Sequence, residues 1–194
     1  IDLKYARLVA QHIGSDHHEV ELTESEFLEA IPLVIHNIES YDTTTVRASV
    51  GNFLVSKYIS ENTDCKVVFN GDGSDEVCCG YVYMKNAPDV DALQAESIRL
   101  VKELHYFDVL RSDRSISTNG LEARTPFLDR AFVDFYLSLE PKWKKFGGER
   151  LEKHMLRAAF DDGQLLPDSV LWRRKCAFSD GVSAQSKSWH HIIQ

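Results

Sequence analysis

The segment from Val67 to Glu76 constrains the fold of this chain more than any other part of it. A short apolar run ends there in a turn that contains Gly71 and Gly73, and three acidic side chains lie within the five residues 72–76. Glycine lets the backbone turn freely and approach a ligand closely, and N–H groups at the start of a helix suit phosphate. Carboxylates beside a phosphate require a cation between them, so the segment predicts a nucleotide bound with Mg²⁺. An acidic surface turn after a buried strand is the alternative.

Secondary-structure patterns in the first half of the chain alternate between helix and strand. Apolar periodicity and capping residues predict helices at 2–13, 23–37 and 48–60 and strands at 18–22 and 66–69. Thr23 and Glu26 have the spacing of a capping box at the start of the second helix. Helices that alternate with strands in this way favour an α/β domain with a parallel sheet.

Helix signals replace strand signals from residue 90 onward. The predicted helices lie at 91–105, 106–112, 130–139 and 149–160. Asp129 is the expected cap of the third of these helices. The segment 121–129 is predicted to be a loop that Pro126 closes. The sequence therefore predicts a mainly helical second half.

Length and composition exclude several classes of protein. The 194 residues fit one ordinary domain, and the formal net charge of −8 argues against a nucleic-acid-binding protein, which carries a basic stripe. The four cysteines lack zinc-type spacing and favour free thiols in a reducing compartment. Without a signal peptide or an apolar run of about 18 residues, we expect a cytoplasmic protein that does not enter a membrane. Because the chain starts at Ile1 rather than Met, we also expect a piece of a longer protein.

Six segments match, in order, the motifs of one known enzyme family. They are Tyr41–Ser49, Asn70–Glu76 with Gly80–Tyr83 and Lys85–Pro88 behind it, Gly120–Asp129, Leu151–Arg157, Trp172–Lys175 and Phe178–Val182. One such motif would be a weak signal, but six in the family's order extend over most of the chain. Together they resemble the C-terminal synthetase domain of the glutamine-dependent asparagine synthetases.

This resemblance implies a PP-loop ATP pyrophosphatase fold of the adenine nucleotide alpha hydrolase-like type. Residues 1–89 would form an α/β nucleotide-binding portion, with a parallel sheet and helices, and residues 90–194 a mainly helical portion. The family's N-terminal glutaminase domain and its Ser-Gly-Gly-x-Asp-Ser PP-loop are absent from the sequence. The domain formed by residues 1–194 is therefore expected to be incomplete.

The activity that the resemblance implies is ATP-dependent asparagine synthesis. Members of the family activate aspartate as β-aspartyl-AMP with ATP and Mg²⁺, and ammonia derived from glutamine then displaces AMP. The implied partners are aspartate, ATP, ammonia and a glutaminase domain, together with a second copy of the chain in a possible homodimer. As an isolated piece the chain is expected to be inactive.

The resemblance also assigns roles at the predicted nucleotide site. Asp72 and Lys175 are the expected catalytic residues, Asp72 in handling the adenylate and ammonia, and Lys175 in neutralising charge at the α-phosphate. Asp75 is the expected Mg²⁺ ligand, with a helix cap as its alternative role. The expected ATP-binding residues are Asn70, Gly71, Gly73, Ser74, Lys153 and Arg173.

A second group of residues is expected to hold the substrate. Arg47, with Thr44 and Thr45, could bind an aspartate carboxylate or a phosphate through charge-assisted hydrogen bonds. Arg111 is a further candidate for the same carboxylate.

Departures from the family's pattern leave alternatives open. Asn70 replaces Ser, and Asp72 replaces a catalytic Glu, where a displacement of about 1 Å could cost ~100-fold in rate. Cys78 and Cys79 replace a bulky residue and Gly. One alternative is a relative of β-lactam synthetase, which adenylates a carboxylate and closes a ring. The other is a non-catalytic module that binds a nucleotide or a partner.

Overall fold

Helices dominate the computed structural model, which describes residues 2–176. The helices are α1 (Asp2–Ile13), α2 (Glu24–Ile38), α3 (Thr43–Asn62), α4 (Ser74–Val77), α5 (Val90–Glu103), α6 (Asp108–Ser117), α7 (Arg130–Ser138), α8 (Pro141–Lys144), α9 (His154–Ala159) and α10 (Asp168–Leu171). Short 3₁₀ turns span Val82–Asn86, Leu104–Tyr106 and Pro126–Leu128.

Two short strands form a small parallel sheet, β1 (Val67–Phe69) with β2 (Glu122–Arg124). This mixed composition, mostly helical with a small sheet, confirms the predicted α/β class at that level. Among residues 2–176, every helix is too short or too polar to span a bilayer.

Local sequence signals account for the starts of several helices. α1 has the predicted bounds. At α2 the predicted capping box forms, because the Thr23 hydroxyl accepts a hydrogen bond from the Glu26 N–H and the Glu26 carboxylate accepts one from the Thr23 N–H. At α7 the Asp129 carboxylate accepts hydrogen bonds from two N–H groups of the first turn, as predicted. These caps pair N–H groups that a helix cannot satisfy internally.

The predicted strand at residues 18–22 is wrong. The segment alternates in polarity but has no strand conformation, and its side chains bond to flanking helices instead. Glu19 accepts hydrogen bonds from Arg7 of α1 at 2.7 and 2.5 Å, and His18 lies 3.0 Å from the Tyr58 hydroxyl of α3. Alternating polar and apolar residues are typical of a strand, but a strand also needs a neighbouring strand to bond its backbone N–H and C=O groups.

Three other boundaries differ from the prediction. The predicted loop at 121–129 contains β2, because the Glu122 N–H donates to the Lys66 carbonyl at 2.8 Å beside β1. α3 begins at Thr43 rather than Ala48, since Asp42 caps it through the Thr45 N–H. The predicted helix at 149–160 is reduced to α9.

Two compact units make up the described residues. The first contains residues 2–68, 110–124 and 176, and the second contains residues 69–109 and 125–175. In the first unit α2 packs against α3, and the core between them consists of Ala30, Val34, Ile38, Val46, Val50 and Phe53.

The core of the second unit surrounds α4. One cluster joins α4 to α7 and consists of Val77, Cys78 and Tyr136. The other joins the residue Cys79 to α5 and consists of Cys79, Met84, Leu93 and Phe146. The buried Ser97 hydroxyl of α5 also donates to the Glu76 carbonyl at 2.6 Å. Because α4 is fixed by these contacts, the turn at residues 70–73 that precedes it has a defined position.

Candidate functional site

A tight turn at Asn70–Gly73 leads from β1 into α4. Gly73 has a φ of +84°, in the left-handed region that favours glycine, and a Cβ there would run into Leu128. The Asn70 amide donates to the Asp72 carboxylate at 2.9 Å, and the Asp72 N–H donates to Asn70 Oδ1 at 3.1 Å. The two residues of the turn that depart from the family's pattern therefore contact each other.

Asp75 lies between two lysines from distant parts of the sequence. Lys153 Nζ donates to Asp75 Oδ1 at 2.8 Å, and Lys175 Nζ donates to Asp75 Oδ2 at 2.5 Å. Lys153 Nζ also lies 3.4 Å from the Ser74 hydroxyl. The Asp75 side chain is 24% exposed, and each lysine is 20% exposed. The structure thus brings together four of the predicted site residues.

The charge balance of this cluster favours an anion. Burial acts to raise the pKa of the Asp75 carboxyl, but the ammonium groups of Lys153 and Lys175 outweigh it, and the pKa lies below its ordinary value of 3.8. Asp75 is therefore ionised at neutral pH. Within the trio of Asp75, Lys153 and Lys175, two ammonium groups face one carboxylate, and the one positive charge in excess would stabilise a phosphate bound to the lysines.

Lys153 has an unusual backbone conformation at the start of α9. Its φ of +55° lies in the left-handed region, which residues other than glycine and asparagine rarely adopt. Such strain costs on the order of 1 kcal/mol or more and is common at ligand-binding sites. The strained residue is the one whose side chain reaches Asp75 and Ser74.

Arg157 holds the segment that carries Lys175. Its guanidinium donates to Glu152 Oε1 at 2.5 Å, to the Leu171 carbonyl, and to the Arg173 carbonyl at 3.1 Å. Arg173, a predicted ATP-binding residue, is therefore fixed through its backbone, two residues before Lys175. These bonds limit where Lys175 can reach.

The Tyr81 ring contacts the cluster of Asp75, Lys153 and Lys175 through Lys175. Lys175 Nζ lies 4.8 Å from the centroid of the Tyr81 ring and donates to the Gly80 carbonyl at 3.0 Å. The Tyr81 hydroxyl lies 2.6 Å from a Glu76 oxygen and 2.6 Å from an Asp108 oxygen. A phenol has one hydrogen, so it donates to one of these carboxyl groups at a time. Burial, which outweighs the hydrogen bond from Tyr81, raises the pKa of Glu76.

Sequence reasoning missed Tyr81, Gly80 and Arg157 as parts of this site. A Cβ at Gly80 would run into Asp75, so glycine is required for the close approach of the two backbone segments. Gly80 and Tyr81 belong to the Gly80–Tyr83 motif, and Arg157 closes the Leu151–Arg157 motif. Those motifs were the available signal, but they did not indicate which side chains would meet.

Comparison with known proteins identifies the family. Residues 1–99 and 84–191 match the protein family described as asparagine synthase. The chain belongs to the asparagine synthase family. Its relatives include the proteins named asparagine synthetase [glutamine-hydrolyzing] of Mesocricetus auratus, 52% identical over 195 residues, of Cricetulus griseus, 51% identical over 193 residues, and of Homo sapiens, 50% identical over 193 residues. These matches cover 100% of the chain and 34% of each relative, so the chain spans about a third of their length.

The asparagine synthase motif that follows the turn contains two buried cysteines in this chain. Cys79 has a φ of +55° and is fully buried, at a position where the resemblance implies glycine. A glycine would adopt this conformation without strain. Burial raises the pKa of the Cys78 thiol to about 12 and also raises that of Cys79. Both are therefore packing residues rather than nucleophiles.

The predicted substrate-binding residues lie in the first unit. Thr44, Thr45 and Arg47 occupy the first two turns of α3, where the Thr45 hydroxyl donates to the Asp42 carboxylate at 2.9 Å. Thr44 is exposed, and Thr45 and Arg47 are half-buried. Arg111 lies on α6 and is also half-buried. The matched motif at Phe178–Val182 lies outside the described residues.

Magnesium is implied by the resemblance, with Asp75 as the predicted ligand. Within residues 2–176, no group of three or more His, Cys, Asp and Glu side chains is placed to hold a metal ion. Mg²⁺ is usually bound by one or two carboxylates and completes its shell with phosphate and water oxygens. A single carboxylate beside a phosphate site therefore fits this ion. Both Asp75 oxygens accept hydrogen bonds from lysines, so a bound ion would replace at least one ammonium group.

Proposed function

We propose that the chain forms part of the synthetase site of a glutamine-hydrolysing asparagine synthetase. The observation that supports this most strongly is the cluster of Asp75, Lys153 and Lys175 beside the glycine turn, in a chain of this family. The side-chain carboxylate of aspartate would attack the α-phosphate of ATP, which forms β-aspartyl-AMP and releases pyrophosphate. Ammonia derived from glutamine would then attack the acyl carbon of β-aspartyl-AMP and release AMP, giving asparagine.

The phosphates of ATP would lie against the turn and the lysines. Lys175 would stabilise the charge that develops at the α-phosphate, and Lys153, with Ser74 and Arg173, would hold the pyrophosphate. Gly71 and Gly73 would allow the backbone to approach these phosphates. Asp75 would hold Mg²⁺, which supplies charge neutralisation for the leaving group when it is bound.

Asp72 would act on the adenylate and on ammonia from its place next to Asn70. The hydrogen bonds between these two side chains support a fixed carboxylate at the position where the family has a longer Glu. The side chains of Thr44, Thr45, Arg47 and Arg111 would bind the carboxylate of aspartate.

The wider family context supports further proposals. The fold would be of the PP-loop ATP pyrophosphatase type, with residues 1–89 as the α/β nucleotide-binding portion and 90–194 as the helical portion. Ammonia would come from a glutaminase domain. The homodimer and the cytoplasmic location stay predictions.

The test is aspartate-dependent exchange of labelled pyrophosphate into ATP, measured on the natural protein that carries this chain. We expect exchange in the wild type and a loss of about 100-fold or more in Lys175→Met, because a group that stabilises developing charge is removed. Lys142→Met is the matched control, since Lys142 is an exposed lysine of the same unit, and it should keep full exchange.

Two outcomes would contradict the proposal. Exchange with a bulkier carboxylic acid but not with aspartate would indicate a β-lactam synthetase-like reaction. Absence of exchange with either acid, in the wild type and in Asp72→Glu, would indicate a non-catalytic module.

A further inference from the structure

We propose that Tyr81 is a positioning residue for Lys175, whose ammonium group it holds over its ring face at the catalytic cluster. The inference rests on the proposed function, because it concerns how that site keeps Lys175 ready for the α-phosphate. Tyr81 lies in the Gly80–Tyr83 motif, but neither that motif nor the pattern of charged residues indicated a role for its side chain.

Three contacts define the position of the Lys175 ammonium group. Asp75 Oδ2 accepts from it at 2.5 Å, the Gly80 carbonyl accepts at 3.0 Å, and the Tyr81 ring centroid lies 4.8 Å away. A distance below about 6 Å from the centroid is within the range of a cation–π interaction. The long lysine side chain is flexible, so a defined position needs several contacts of this kind.

The Tyr81 ring is itself fixed from several directions. Its hydroxyl lies 2.6 Å from Glu76, which is 4% exposed on α4, and 2.6 Å from Asp108 at the start of α6. The ring also stacks on Tyr83, with centroids 5.9 Å apart and planes 20° from parallel. A ring held in this way presents a rigid face to Lys175.

The ring differs from Asp75 in what it does to the charge of Lys175. Asp75 neutralises the ammonium group, so it competes with a phosphate. An aromatic face attracts the cation through its quadrupole and carries no net charge. If Lys175 turned from Asp75 toward a bound phosphate, Tyr81 would still orient the ammonium group and leave its full charge for the phosphate.

The first test reads the contact directly and needs no enzymatic activity. The natural protein is labelled with ¹³C at lysine Cε, and the Lys175 signal is assigned by its loss in Lys175→Met. We expect ring-current shielding of that signal in the wild type and in Tyr81→Phe, and its loss in Tyr81→Leu. Trp143→Leu is the matched control, because it removes a ring under the separate Lys142–Trp143 pair and should leave Lys175 unchanged.

The second test couples the two residues in pyrophosphate exchange. Tyr81→Leu should lower kcat about tenfold with little change in the KM for ATP, and Tyr81→Phe should stay within about threefold of the wild type. In a Lys175→Met background, Tyr81→Leu should add less than about twofold, because its effect acts through Lys175. A purely structural role would give independent, multiplicative losses.

Pentafluorophenylalanine in place of Tyr81 guards against misfolding of the Leu variant. It has nearly the shape of phenylalanine but a ring face that repels cations, so it should lower kcat about as much as Tyr81→Leu. The proposal is overturned if this variant matches Tyr81→Phe, or if the Lys175 signal stays shielded in Tyr81→Leu. Absence of exchange in the wild type, with the NMR shift as expected, would instead overturn the proposed function and leave the Tyr81–Lys175 contact standing.

Discussion

Replacing Asp75 with asparagine would remove the counter-charge that Lys153 and Lys175 share. Each lysine donates to its own carboxylate oxygen, at 2.8 and 2.5 Å. Asparagine keeps one acceptor oxygen and places an amide donor against the other ammonium group. Two cations would then face each other without a carboxylate between them.

The magnitude follows from the burial of the cluster. Hydrogen bonds to charged groups contribute about 1.5–3 kcal/mol each when they are buried, whereas exposed ion pairs contribute about 0.2–1 kcal/mol. The three side chains are 20–24% exposed, which is nearer to the buried limit. We therefore expect Asp75→Asn to lower the free energy of unfolding by about 2–3 kcal/mol at neutral pH.

The pH dependence gives a second signature of the same interaction. The pKa of Asp75 is lowered in the folded protein relative to 3.8. Its stabilisation is therefore fully present above that ordinary value and is lost as the pH falls through the lower, folded-state pKa. The difference between the wild type and Asp75→Asn should be constant from about pH 7 to about pH 5 and should shrink at more acid pH.

Urea unfolding followed by far-UV circular dichroism measures both quantities. The matched control is Asp134→Asn, an exposed aspartate on α7 in the same unit, which should change stability by less than about 0.5 kcal/mol. If Asp75→Asn proves as stable as this control, the ion-pair reasoning is refuted. A loss of stability that persists at acid pH would assign the effect to packing rather than to charge.

Three further predictions concern other residues of the chain. Glu96→Gln should cost about 1 kcal/mol at neutral pH in unfolding experiments, because chiefly the hydrogen bond from Arg99 lowers the pKa of Glu96 to about 2. This cost should shrink at acid pH and vanish only as the pH falls through that folded-state pKa. Cys79→Gly should be at least as stable as Cys79→Ala in thermal melts, since glycine relieves the strain of a φ of +55°; a less stable glycine variant would contradict this. In the native protein a thiol reagent should label exposed Cys65 rapidly, whereas buried Cys78, with its pKa of about 12, should react after unfolding; mass spectrometry of the labelled peptides checks the order.

Much of the site's local structure could be predicted because its signals are short-range. The glycine turn before α4 follows from Gly73, whose left-handed backbone has no steric cost. The resemblance to asparagine synthetases pointed to Asp75, Lys153 and Lys175 through separate motifs. It did not predict that both lysines would share the two oxygens of one carboxylate, since they are 78 and 100 residues away from Asp75 along the chain.

The sequence by itself determined the helices whose ends are set by neighbouring residues. The bounds of α1, the Thr23–Glu26 capping box and the Asp129 cap depend on side chains within a turn of the N–H groups that they satisfy. Such contacts form wherever the local chain is helical, so the pattern is sufficient to predict them.

Tertiary structure decided the features that need a partner from far along the chain. Residues 18–22 have a strand-like pattern but form no strand. Glu122–Arg124 forms β2, because the Lys66 carbonyl accepts a hydrogen bond from the Glu122 N–H. The left-handed conformation of Lys153 and the place of Tyr81 beneath Lys175 likewise depend on packing. A strand, a strained residue and a cation–π contact each gain their stability from non-local neighbours, and a linear pattern does not specify which neighbours will meet.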